Sequence, residues 1–403
     1  MVPMVRDRRA TVLLLMILCI ALVAFPNVEI VKAEEPIYIR ADGSVEGTEL
    51  IRKDGNVYTF TANIYGPIVV EKDDVAIDGA GYTLNGTGAY HREGIDLSDR
   101  NSVAIKNMRI CGFEYGIYLQ SSSSNTICGN NIIANGFAGI KLACFTKDSI
   151  VIGCSFNSIY GNNITDNSGE GISLHTSPQN SIHDNNITNN GVDGLYLDRC
   201  SFNNTILRND IKNNGRDGIM CVIASGGNRI SGNNISNNRG NGVTLTLNSN
   251  VNIISENNIL NNNHGIEINN SQYPSNNTIS VNNITSNNVG IGISASSDNR
   301  IYNNNFVNND IQFLADVGSV NNLDNGFEGN YWGNYNGTDN DGDRIGDTPY
   351  IIDEKNRDNY PLMEPVIIPE FPSWTPLLIT LVAAVTVAVV YRRKLQNWGR
   401  QMK

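Results

Sequence analysis

An all-β fold of stacked coils is what this sequence predicts, and three observations predict it. The first is a Gly-(Ile/Leu/Val) pair, followed two residues later by an apolar residue, that returns along the chain. Its glycines are Gly94, Gly116, Gly139, Gly171, Gly194, Gly218, Gly242, Gly265 and Gly290, at intervals of 22, 23, 32, 23, 24, 24, 23 and 25 residues. The second is an Asn-(Asn/Asp)-Ile motif with isoleucines at 132, 164, 187, 211, 235, 259 and 284, usually with another isoleucine five residues earlier. The third is alternation of apolar residues at spacing two, as in Leu195 and Leu197, between frequent glycines and asparagines. A fixed period in the twenties announces a stacked repeat. Spacing two and the many β-branched residues exclude helical repeats. A leucine-rich repeat has a similar period, but its leucine density is missing. What remains is a parallel β-helix of about 10–11 coils, each with three short strands and three turns. One coil cannot bury its apolar face alone, so coils stack over a shared core.

The elements follow in order. PIVVEKDDVAIDGAGYTLNGTG opens the array, with Ile68, Val70, Val75 and Ile77 directed inward. Residues 34–65 are expected to cap it, because an unpaired terminal coil is an edge that invites aggregation. The coils are expected to span 66–330. The 32-residue interval holds an insertion, about KLACFTKDSIVIGCSFNS. Asparagine tolerates left-handed backbone at turns, and its amides stack into ladders when coils repeat. Asn131, Asn163, Asn186, Asn234, Asn258 and Asn283 are placed for such a ladder, and Asn190-Gly191 for a turn. Four of the six also begin Asn-X-Ser/Thr, but a ladder shields its members. Asn85, Asn203, Asn276 and Asn336 are therefore the expected glycan acceptors.

Both ends point to a membrane. Arg6, Arg8 and Arg9 precede the apolar run TVLLLMILCIALVAF, and Val31-Lys32-Ala33 has the small residues of a cleavage site. Residues 1–33 are read as a signal peptide cut before Glu34, with an uncleaved anchor as the alternative. A Tyr/Trp/Asp-rich segment, 331–363, and a linker, 364–374, lead to an uncharged run from Thr375 to Tyr391, near the lower length of a membrane-spanning helix. Arg392, Arg393 and Lys394 head a basic tail, 392–403, that holds the cytoplasmic side. The chain reads as secreted, with an extracellular ectodomain on a membrane anchor. Outside the membrane, disulfides are permitted. Single buried thiols suit a long repeat array better than a disulfide framework, and Cys144 and Cys154, flanking the insertion, are the best candidate pair. The 29 basic and 40 acidic residues give a net charge of −11, which argues against a nucleic-acid partner.

The Asn-Asn-Ile and Gly-Ile-X-Leu repeats, with the tail GNYWGNYNGTDNDGDRIGDTPYIID and DNYPLM, resemble the right-handed parallel β-helix proteins of the NosD-like class, in their archaeal surface form. The Pro-Glu-Phe-Pro stretch before the last apolar run is similar to archaeal PEF-type sorting signals, which implies that the helix is either retained or exchanged for a lipid anchor. The NosD name implies periplasmic copper handling. Here the four histidines (His91, His175, His183, His264) are scattered and no Met- or Cys-rich cluster of soft ligands appears, so copper is not expected. The architecture hosts lyases, hydrolases, epimerases, adhesins and spacers, so it implies no single activity.

Two constellations could carry chemistry. Asp339, Asp341, Asp343 and Asp347 supply carboxylates at loop positions 1, 3, 5 and 9, the hard oxygen set that calcium prefers. Arg344 stands where an EF-hand has glycine, and Tyr350 where it has a bidentate glutamate, so the match is partial. A solvated acidic turn is the plainer alternative; calcium would gather the loop below the last coil. The second constellation appears when the repeats are aligned. Glu170, Asp193 and Asp217 precede consecutive repeat glycines, with Asn241 and His264 continuing the column. Strands about 4.8 Å apart would stack the three carboxylates, raising a pKa or requiring a cation. His175 and Asp198, four residues after their glycines, and Tyr196, two after, lie beside them. Outward Asp, His and Tyr can bind sugar hydroxyls or supply acid and base for glycosidic cleavage. The same letters also suit a turn at which Asp-Gly is favourable. No Asn-Thr-Asp, Asp-Asp and Gly-His-Gly set of a polygalacturonase is present, nor the Asp-Pro-His-Glu of alginate epimerase-like sheets. The functional readings are a carbohydrate-binding or structural envelope protein, a polysaccharide-active lyase, hydrolase or epimerase, and a copper accessory protein.

Overall fold

The computed structural model describes residues 35–368, apart from 87–92, 145, 148, 149 and 152. The leader at 1–33 and the run at 375–391 lie outside the described residues. Among those described, no helix is long and apolar enough to cross a membrane.

Each coil contributes one strand to each of three parallel sheets, of 13, 12 and 12 strands, and the chain winds right-handed, as parallel crossovers do. The coil of Gly194 shows the rule. Leu195–Asp198 joins the first sheet, Thr205–Leu207 the second and Asp210–Lys212 the third. Pairing is in register from coil to coil: Leu174 lies beside Leu197, Ile182 beside Ile206 and Ile187 beside Ile211. Because strand side chains alternate, those residues all point inward and are fully buried. Each contributes on the order of 1.5–3 kcal/mol of apolar burial. The repeat glycine is required by a close approach. A Cβ on Gly194 would stand 2.6 Å from Ile211 Cγ2 and 2.7 Å from the Gly218 carbonyl.

The asparagines are arranged differently from the expected ladder. Asn163 and Asn186 do bond side chain to side chain, but on the half-exposed outer face of the third sheet, where Asp210 takes the next place and accepts from Asn234. Asn234 and Asn258 are exposed. The shielded ladders use other residues. In one, Asn130, Asn162, Asn185, Asn209, Asn233, Asn257, Asn282, Asn304 and Asn330 succeed one another, each amide donating to the next Oδ1. The others run through Asn180 and Asn204 and through Asn190 and Asn214. The reason is local. A residue in left-handed geometry precedes each of these inner asparagines but Asn330: Asp184 (φ 55°) before Asn185, Asn189 (φ 56°) before Asn190, Arg208 (φ 52°) before Asn209. That bend turns the following side chain under the coil, whereas the asparagine next to an inward isoleucine must face out. Asn190 is therefore a ladder member, and the turn falls on Asn189. Of the expected glycan acceptors, Asn203, Asn276 and Asn336 are exposed and Asn85 is half-buried.

Of the expected cap at 34–65, the described residues 35–65 do more than cover the end. Ile37–Ile39 pairs in parallel with Ile68–Val70, Val57–Phe60 with Ala76–Asp78, and Ile64–Tyr65 with Thr83–Asn85, so a coil is already wound here. Val45–Glu46 and Ile51–Asp54 pair antiparallel to that coil and close its edge. The insertion is shorter than expected. Ile140–Ala143 is a regular strand of the first sheet, and the extra residues follow it, with Thr146–Lys147 paired to Ile150–Val151. Cys144 and Cys154 are buried on either side, and the six described cysteines are unlinked thiols.

At the far end the YWGN motif stops the core. The Trp332 ring lies between Phe306 and Tyr350, with centroids 4.4 Å from each. Its Nε1–H donates to Asp358 Oδ2, as does the Asn330 N–H. Asp358 is fully buried, and that burial lifts its carboxyl to about 6 against the pull of these bonds.

Candidate functional site

The outer face of the first sheet is where side chains not required by the core gather. Three columns run along it, fixed by the register. One precedes the repeat glycines, a second lies two residues after them and a third four residues after.

The first column mixes structure with an unmet need. Asp193 accepts the Asp217 N–H at Oδ1 (2.9 Å), and Asp217 accepts the Asn241 N–H in the same way (2.9 Å). Asp217 Oδ2 also accepts the Thr244 hydroxyl at 2.7 Å. These aspartates thus act as a ladder of their own, holding the next coil's backbone. The expectation of outward carboxylates fails at Asp193, whose side chain is 1% exposed, and Asp217 is buried as well. Yet Asp193 Oδ2, Glu170 Oε2 and Asp198 Oδ1 are buried with no hydrogen-bond partner. Burial, with Asp217 and Glu170 adding negative charge, lifts Asp193 to about 7 despite the Asp217 N–H and Arg216. Arg216 Nε lies 3.5 Å from Asp193 Oδ1.

In the second column Tyr118, Lys141, Ser173 and Tyr196 stand side by side on consecutive coils. Lys141 Nζ donates to Ser173 Oγ at 2.9 Å. Burial lowers the Lys141 pKa, and Glu170 and Asp198 oppose that. Tyr196 is half-buried; burial raises its hydroxyl, and the charges of Asp198, Asp193 and Glu170 raise it further. Tyr118 is pushed up to about 12 by burial, then by Glu93. In the third column His175 Nδ1 lies 3.0 Å from Asp198 Oδ2, and Arg199 Nε is 3.6 Å from the same oxygen.

At one end of these columns lies an open cavity of about 340 Å³, lined by Glu93, Tyr115, Tyr118, Lys141, Ala143, Cys144 and His175. Tyr115 packs against Tyr118 (centroids 5.6 Å) and edge-on to Phe137 (5.5 Å). The register therefore gathers Glu170, Asp193, His175, Tyr196 and Asp198 on one face and leaves Asp217 to the ladder. Lys141 and Tyr118 are the residues that sequence reading missed. Both stand two residues after a repeat glycine, as Tyr196 does, so the same offset applied to Gly139 and Gly116 would have found them. Lys141 was hidden by being counted in the insertion.

The acidic tail loop is a separate feature. Carboxylate oxygens of Asp339, Asp341 and Asp343 lie within 4.8 Å of one another. Asp347 turns elsewhere, its Oδ2 accepting from the Asn340 N–H at 3.0 Å. Asp339 already accepts the Gly342 and Arg344 N–H groups, which lowers its pKa against a desolvation cost.

Comparison with known proteins agrees with this architecture. A family model described as a right-handed β-helix region matches residues 50–197 and 93–245. Coils, register and that match define a right-handed parallel β-helix repeat protein. A second model, described as periplasmic copper-binding protein NosD, matches residues 194–337, and over that stretch the repeats are NosD-like. No curated protein matches the chain. Among solved structures, the Dettilon tailspike protein is similar at 16% identity over 71% of this chain and 61% of that one, with a TM-score of 0.52. A periplasmic alginate epimerase is similar at 18% identity over 67% and 68%, with a TM-score of 0.49. The catalytic unit of an α-1,3-glucanase from Streptomyces thermodiastaticus is similar at 13% identity over 74% and 64%, also at 0.49. At these identities the likeness is one of fold.

Proposed function

We propose that the protein is a secreted glycan-binding β-helix, with the outer face of the first sheet as its sugar platform. The observation that carries this is the set of buried, partnerless carboxylate oxygens on Glu170, Asp193 and Asp198, beside a cavity walled by tyrosines. Sugar sites combine polar groups that fix hydroxyls with apolar walls that cover the ring. The leader expected at 1–33 and the anchor expected at 375–391 fit display of this face outside the membrane. Copper has no part in the reading: His175, His183 and His264 each face a different carboxylate, Asp198, Asp184 and Glu267. A glycan array probed with the purified protein tests it. Binding should weaken about tenfold or more in Tyr118→Ala and Tyr196→Ala, as for anchors at the centre of an interface. An array on which nothing binds ends the proposal.

The His175–Asp198 pair favours a second reading, a polysaccharide-active enzyme on the same face. An imidazole oriented by a largely buried carboxylate is how a general base is built. Incubating each bound glycan with the protein and finding released sugar, lost in His175→Ala, would establish it; unaltered glycans would leave a binder.

For the tail loop we propose calcium in a structural role, held by Asp339, Asp341 and Asp343. The double change Asp341→Asn, Asp343→Asn should remove any rise in Tm that calcium gives the wild type. Equal melting of the wild type with calcium and with chelator would dismiss the ion.

A further inference from the structure

The glycan that fits this face is an uncharged one. Resting on the glycan-binding reading above, we infer that the first sheet selects neutral pyranose chains and disfavours polyuronates, through the carboxylates that crowd its outer face.

The charge balance is one ground. Glu93, Asp96, Glu170, Asp198 and Asp217 fall on the outward columns of the first sheet or beside its repeat glycines, within six consecutive coils. The cations there are Lys141, Arg199 and Arg216. A sugar carboxylate entering this field meets more negative than positive charge, and like charges a few ångströms apart repel most strongly where water is scarce. The disposition of the cations is the other ground. Carboxylate ligands are best held by a guanidinium fork. Here Arg216 lies against Asp193 and Arg199 against Asp198, each within 4 Å, while Lys141 donates to Ser173. The groups with unmet hydrogen bonding are acceptors: Glu170 Oε2, Asp193 Oδ2 and Asp198 Oδ1. A carboxylate oxygen without its proton can only accept, so what Glu170 and Asp198 lack is a donor; Asp193, which burial lifts to about 7, is not counted with them. Sugar hydroxyls supply such donors at the half-buried Glu170 and at Asp198, whose side chain is 11% exposed, and a uronate carboxylate supplies none.

Titration calorimetry of the full-length protein with hexasaccharides tests this inference. The neutral probes are hexamers of glucose, mannose and galactose; the acidic ones are hexamers of mannuronate, guluronate and galacturonate. At low salt the best neutral hexamer should bind at least tenfold tighter than any uronate. Raising the salt should narrow the gap as screening shortens the repulsion. Glu170→Gln should narrow it severalfold at low salt. A uronate that binds as tightly as the neutral chains overturns the selectivity and leaves the glycan-binding reading standing. If neither class binds, both fall. If Glu170→Gln leaves the ratio unchanged while the gap persists in high salt, the selectivity does not arise from these charges and the inference is overturned.

Discussion

Replacing Asn209 with leucine should destabilise the helix by roughly 3–5 kcal/mol, the cost of stranding buried donors and acceptors. Asn209 Oδ1 accepts both the N–H and the Nδ2–H of Asn185, and its own amide donates to the Ile182 carbonyl and to Asn233 Oδ1. The residue is 1% exposed, so no water replaces these bonds. Leucine fills nearly the same volume, which isolates hydrogen bonding from packing. Asn186→Ala, on the outer ladder of the neighbouring coil, is the comparison. It is half-buried, and its loss should cost about 1 kcal/mol or less. Denaturant unfolding of both variants checks the claim. Similar midpoints for the two would show that the inner ladder is not what holds the coils in register.

Asp193→Asn should flatten the pH dependence of stability between about pH 4 and pH 8. Burial holds this carboxyl at about 7 in the folded protein, against 3.8 ordinarily. The folded state therefore keeps its proton longer than the unfolded chain does. The stabilisation this gives is complete below the unfolded value and is lost as pH rises through about 7. The difference corresponds to about 4 kcal/mol at most. Asp358, lifted to about 6 by burial beneath Trp332, acts in the same direction. Wild-type protein should accordingly melt at a higher temperature at pH 5 than at pH 8. Asparagine keeps the acceptor for the Asp217 N–H and has no proton to lose, so the variant should lose most of that difference. A wild-type slope in Asp193→Asn would mean that the carboxyl is already ionised in the folded state at neutral pH.

Both substitutions bear on how much of the molecule was legible in its sequence. The coils were, because a solenoid writes its core at a fixed period: Ile182, Ile187, Leu195 and Leu197 are inward because strand geometry leaves no other choice. The choice between adjacent asparagines was not legible. Asn185 and Asn186 are the same letter, and only the left-handed bend at Asp184 sends the first beneath the coil and the second to the surface. The face carrying Tyr196 and Asp198 was partly legible, since alignment of the repeats gathers Glu170, Asp193 and His175 beside them. Lys141 was lost because the strand Ile140–Ala143 looks like the start of an insertion until its pairing on both sides is known.

By itself, then, the sequence determined the repeat, the inward residues and the column offsets, all of which follow from periods of two and of about 23 residues. Tertiary structure alone decided which polar groups on those columns are satisfied. Asp193 and Asp217 occupy equivalent positions, yet Thr244 completes the bonding of one while the second oxygen of the other has no donor. That difference comes from the neighbour on the next coils, some 24 or more residues away in the chain.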